Sequence, residues 1–188
     1  MSESCSLCRI EKKLDRMLAL LEANAARPAG AFAGGPLREG IQRDFPHESL
    51  RRWGCYFFAL LRWAQELGAR PGLADGDVAA VFAEAQMQTM PNPTPGDGRG
   101  SRIPIITNTA FVNDPVRLLN FLAGETVARR VSLWTNDPGA AAPALPVFVI
   151  RETHPQFGAH FLLSANGERW DSLPPLPGRV PAGFRALA

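Results

Sequence analysis

Apolar residues recur at helical spacing in the first two thirds of the chain and at alternating spacing in the last third. In residues 9–26, Ile10, Leu14, Met17, Leu18 and Leu21 form one stripe, with Lys12, Lys13, Asp15 and Arg16 largely off it, which predicts an amphipathic helix. Pro28 ends it, and PAGAFAGGP over 28–36 reads as a tether. The chain thus divides into an N-terminal docking or oligomerisation helix (1–27), a flexible linker (28–36) and a folded domain (37–188). Within the domain a helix is expected over 54–67, where Phe57, Phe58, Leu60, Leu61 and Ala64 make a broad apolar face. A further helix starts at Asp75 or Asp77 and carries Val78, Val81, Phe82 and Ala85. Residues 91–104, PNPTPGDGRGSRIP, read as a loop long enough to serve as a substrate flap. Asp114-Pro115 then starts a helix that ends near Gly124. Strands are expected over 127–134, 147–152, 159–164 and 168–171, and the Pro-rich tail from Leu173 onward is expected on the surface. Helices first and strands last predict an α+β domain with helices packed on an antiparallel sheet.

The last strand pair can be aligned from its turn. Asn166-Gly167 between alternating segments is a hairpin signal for a two-residue turn. Ala165 then pairs with Glu168, Leu162 with Asp171, and His160 with Leu173. Side chains alternate faces along a strand, so His160, Leu162 and Asp171 share one face, and His160 and Asp171 are diagonal neighbours. A carboxylate there can hold one imidazole nitrogen and leave the other for a thiol. A slip of one residue would move Asp171 to the other face.

Composition and charge narrow the partners. The apolar share is 46%, enough for a substantial core. A net charge of +2, with no basic run, does not call for nucleic acid. No apolar stretch is long enough for a membrane span, and the N-terminus does not read as a secretory signal. Three cysteines do not make a disulfide framework, so a reducing cytoplasm is expected.

Cys55 follows Gly54 where the second helix is expected to begin. A thiol at a helix N-terminus feels the positive end of the helix dipole, which favours the nucleophilic thiolate. Taken singly, Cys55 also reads as a small buried hydrophobe, His160 as an idle strand histidine and Asp171 as a turn residue; the three together favour chemistry. Gly54-Cys55-Tyr56-Phe57-Phe58, then Gly158-Ala159-His160-Phe161-Leu162-Leu163, then Trp170-Asp171-Ser172, resemble the papain-like cysteine peptidase superfamily. Within it the pattern is similar to bacteriocin-processing peptidases and, more nearly, to a domain of unknown function in tailed phages and prophages. That domain shares a Val-x-Asp-Pro helix start, here Val112-Asn113-Asp114-Pro115. The resemblance spans about Leu50 to Ser172. It implies a helix bearing the cysteine packed on a small antiparallel sheet bearing the histidine and aspartate. It further implies Cys55 as nucleophile, His160 as base and Asp171 as the group orienting the histidine, without cofactor or metal. The implied activity is hydrolysis of an amide in a protein or cell-wall peptide, within a bacterial host cytoplasm or a virion. The alternative is an inactive module of the same fold serving as a phage structural or accessory binding protein.

One departure concerns the oxyanion. Papain-like enzymes usually carry a Gln several residues before the nucleophile, and residues 47–53 contain none; Arg52 or backbone amides near Cys55 would have to substitute. Cys5 and Cys8 form a CxxC, but no second pair of thiols or histidines follows. Two chains joined through the N-terminal helix could supply four thiolates, while a disulfide or idle thiols is the plainer reading. His47 and His154, beside prolines, read as surface histidines, and Trp53, Trp63, Trp134 and Trp170 as core or cleft walls.

Overall fold

The computed structural model describes residues 37–70, 72–73, 75–94, 101–156 and 158–188. The expected N-terminal helix, the linker and the Cys5/Cys8 pair lie outside the described residues. The domain is α+β. In chain order it contains α1 (Glu48–Trp53), α2 (Cys55–Glu66), α3 (Asp75–Met87), β1 (Thr89–Pro91), β2 (Arg102–Pro104), α4 (Pro115–Ala123), β3 (Val131–Thr135), β4 (Val147–His154), β5 (Gly158–Ala165), β6 (Glu168–Trp170) and β7 (Val180–Leu187). Among the described residues no helix is long and apolar enough to cross a membrane.

Helix α2 is the centre of the core. Phe57, Phe58, Ala59, Leu60, Leu61 and Ala64 are all fully buried. A helix apolar on nearly every side has to be surrounded, and α2 packs chiefly on β5 and α4. Phe57 and Phe58 meet Phe45 and Phe82 edge to face. Helix α4 begins as its sequence dictates: the Asp114 side chain accepts from the Arg117 N–H at 2.9 Å, Pro115 is the first helical residue, and Gly124 closes it at φ 77°.

Five strands form one antiparallel sheet in the order β3-β7-β4-β5-β6, and β1 and β2 form a separate two-stranded clip. The hairpin between β5 and β6 turns on Asn166 and Gly167, both at positive φ. Its register pairs Ala165 with Glu168, Ser164 with Arg169 and Leu163 with Trp170, the alignment expected from the turn. Chain 40–42 then lies along the outgoing segment, with Gly40 N–H donating to Asp171 O (3.0 Å) and Gln42 N–H to Ser172 O (2.8 Å).

Two expectations are corrected. The Pro-rich tail is not wholly a surface segment: β7 lies between β3 and β4 and is buried from Ala182 to Leu187. Pro181 and Gly183 hide it in the sequence. A proline lacks a ladder donor and a glycine weakens a strand interior. The extra residue of the register shift between Arg151 and Glu152 is Ala182, flanked by Pro181 and Gly183, and Gly183, at φ 135°, lies so near β3 that a Cβ would come within 2.0 Å of Thr135 O. Residues 91–104 are not loop throughout, since both ends pair as β1 and β2. The strand expected over 127–134 is confined to Val131–Thr135, and α1 was not expected.

Gly54 joins α1 to α2 and sets where Cys55 stands. Its N–H donates to Leu50 O at 2.9 Å, and a Cβ there would lie 2.4 Å from the same oxygen. Gly54→Ala should therefore force the two helices apart. The expected loss is about 1–3 kcal/mol in denaturant unfolding, the usual scale for overpacking. An unchanged midpoint would show that this junction has slack.

Candidate active site

Cys55, His160 and Asp171 come from three places in the chain and meet at one end of α2. Cys55 is the first residue of α2 and is 9% exposed. His160 lies on β5 and is buried. Asp171 follows β6 directly. His160 Nε2 and Asp171 Oδ1 are 2.6 Å apart, with both side chains largely buried. Cys55 lies close enough to His160 to favour its charged ring, and the two side chains line one cleft. Asp171 acts as acceptor for the backbone N–H of Leu173 (2.8 Å) and for Arg179 Nη1 (2.6 Å). The contact to His160 is therefore an Nε2–H donating to a carboxylate. Nδ1 is the ring nitrogen left to face the thiol.

The electrostatics follow from these contacts. Burial alone would lower the His160 pKa. The hydrogen bond to Asp171 and then the interactions with Cys55 outweigh it and raise the value to about 9. Burial would raise the Asp171 pKa. The His160 hydrogen bond and charge, the Leu173 amide and the Arg179 charge together hold it below the ordinary aspartate range. Asp171 and Cys55 both favour the charged form of the His160 ring.

Cys55 and His160 line a cleft of about 1040 Å³, while Asp171 lines a second cavity. Tyr56 stacks on Phe161 with ring centroids 4.6 Å apart and meets Trp134 edge to face. Trp134 is half exposed, and the Arg185 guanidinium sits 4.0 Å over its ring. Trp53 and Phe111 are exposed on the same cleft, so these tryptophans form its wall while Trp63 and Trp170 are buried. His47 is exposed, but His154, expected on the surface, is half-buried in β4, lines the cleft and bonds Pro177 O at 3.2 Å.

The sequence reading looked for an oxyanion donor over residues 47–53 and missed Gln42, which lines the cleft with Cys55. Its side chain is almost wholly buried and oriented at both ends. Nε2 donates to Arg51 O (3.2 Å), and Oε1 accepts from Ser172 Oγ (2.8 Å). A carboxamide has two N–H bonds, so one donor remains beyond the Arg51 contact. Helix α1 intervenes between Gln42 and Cys55 and lengthens the spacing that a motif search relies on. Arg52 also lines the cleft, but it is exposed and paired to Glu48 at 3.4 Å.

Linkage gives a testable pH dependence. The folded His160 pKa lies above its unfolded value of 6.5, so its contribution to stability is complete below 6.5 and is lost as pH rises through about 9. Asp171 has the opposite sign: its contribution is present above the ordinary aspartate value of 3.8 and is lost as pH falls through its lower folded value. Unfolding free energy measured against pH should decline between 6.5 and 9, and His160→Gln should flatten that decline. A slope unchanged by the substitution would contradict the pairing. Comparison with protein-family models, curated proteins and solved structures gives no match to this chain.

Proposed function

We propose that the protein is a papain-like cysteine hydrolase acting on an amide bond of a protein or cell-wall peptide. The observation that carries this reading is an imidazole hydrogen-bonded to Asp171 that shares a cleft and an electrostatic interaction with Cys55. In this reading His160 draws the proton from Cys55, and the thiolate, at the N-terminus of α2, attacks the carbonyl carbon. The carbonyl electrons move onto oxygen, and the free N–H of Gln42 is the side-chain donor available in the cleft for that oxyanion. As the intermediate collapses, the C–N bond breaks, the amine leaves with the proton from His160, and a thioester on Cys55 remains. His160 then takes a proton from water, whose oxygen attacks the thioester, and the thiol and a carboxylic acid are released. Asp171 keeps the ring in one orientation and favours its charged form throughout. The aromatic lining from Tyr56, Trp134 and Phe161 suits a peptide chain better than a polyanion.

The test follows alkylation of Cys55 by iodoacetamide against pH, read on the Cys55 peptide by mass spectrometry. The intact chain should label well below the range of an ordinary thiol of pKa about 8.5. His160→Ala should lower the rate at pH 6 by on the order of 10²-fold, since the imidazolium partner is gone. Asp171→Asn should cost about tenfold, because an amide still holds the ring but no longer supports its charge. Superimposable curves for the three proteins would leave the inactive binding module as the better account.

A further inference from the structure

Behind Asp171 lies a chain of charged groups that the hydrolytic mechanism does not use. Arg179 is on the segment leading into β7, and its side chain is only 6% exposed. Its Nη1 donates to Asp171 Oδ2 at 2.6 Å and lies 4.0 Å from Glu152 Oε2. Glu152, on β4, is paired on its other oxygen with Arg169 of β6. Arg179 lines the Cys55 cleft on one side and, on the other, a second cavity of about 570 Å³ that also reaches Asp171 and Glu152.

We propose that Arg179 is a positioning residue for the Cys55–His160 pair: by occupying Asp171 Oδ2 it keeps the carboxylate ionised and turned with Oδ1 toward the imidazole into the acid range. The inference rests on the hydrolase reading above. It follows from counting charges in a buried space. Glu152 and Arg169 neutralise each other. Cys55, His160, Asp171 and Arg179 sum to zero when the thiolate and imidazolium have formed. Without Arg179 the same set carries one net negative charge away from water, and burial penalises that charge unless a proton is taken up. Glu152 would still have Arg169, whereas Asp171 would have no cation but His160 among the described residues. Arg179 also fixes which oxygen faces His160. The Leu173 N–H and His160 share Oδ1, and Arg179 holds Oδ2, so the carboxylate has no freedom to rotate. The other titratable or charged groups around the pair are Cys55 and Tyr56 of α2, Glu152 and His154 of β4, Arg169 of β6, Arg52 in the cleft and Glu39 in the second cavity. None of these replaces the contact to Oδ2.

The experiment is the same Cys55 alkylation profile on the full chain, for Arg179→Gln and Arg179→Lys. Glutamine keeps a donor and removes the charge, and its acid limb should move up by about one pH unit. At the pH where the unaltered protein is half-maximal this is about a fivefold slower reaction, with the alkaline plateau unchanged. Lysine keeps the charge and should restore at least half of that shift. A brace for the fold alone would lower the melting temperature of both variants without moving the limb. An unmoved limb in Arg179→Gln, or a lysine variant that behaves like glutamine, overturns the proposal. If the unaltered protein itself labels as an ordinary thiol, the hydrolase reading fails instead. Should neither variant fold, the Asp171 carboxyl carbon can be titrated by NMR in the unaltered chain. It should report an ionised carboxylate throughout the acid limb, and protonation within that limb overturns the proposal.

Discussion

A histidine buried against a central helix needs partners for both ring nitrogens, and much of this domain is arranged to supply them. The 2.6 Å hydrogen bond between His160 and Asp171 satisfies one nitrogen and leaves the other for Cys55. An unsatisfied polar group at that depth would cost about 1–3 kcal/mol, so the pairing constrains everything that positions it. The Asn166-Gly167 turn sets the register that brings Asp171 beside His160. Chain 40–42 lies along Asp171 and Ser172 and stops that segment from moving away. Gly54 lets α1 end close against α2, so that the first residue of α2 is the cysteine.

The same pairing ties stability to chemistry. A charged His160 ring favours the folded state below its pKa, and in the proposed hydrolase the same ring would hold the sulfur ready as a nucleophile. Arg179, which borders both the cleft and the second cavity, extends the arrangement beyond Asp171, and Glu152 with Arg169 closes it with a neutral pair. The charged groups are thus matched in sequence from the cleft toward solvent, which is how a buried ionic cluster avoids an uncompensated charge.

Much of this was legible in the chain. The helical apolar faces of α2 and α4, the Asp114-Pro115 start and the Asn-Gly turn each act through local physics, and local physics is what a sequence displays. The juxtaposition of His160 and Asp171 follows from that turn and the alternation of a strand. What escaped depends on contacts distant in sequence. Strand β7 carries Pro181 and Gly183, which argue against a central strand, yet they flank a bulge at Ala182 opposite Arg151 and Glu152. Gln42 is separated from Cys55 by α1, so its approach to the cleft is set by the 40–42 pairing with 171–172. Arg179 lies in a Pro-rich stretch that reads as surface, yet its guanidinium is buried against Asp171. His154 stands beside Pro155 and reads as a loop residue, but β4 runs through it and carries it to the cleft.

In the proposed hydrolase His160 is a cation that donates through Nε2–H to Asp171 and turns Nδ1 toward Cys55. Nitrogen-15 NMR of the histidine ring at pH 7 tests it most directly. Both ring nitrogens of His160 should show the protonated, imidazolium shift, with the Nε2 proton far downfield from its short bond to the carboxylate. Cys55→Ser should lower the pH at which that signal is lost. A neutral ring at pH 7 with its single proton on Nδ1 would contradict the account.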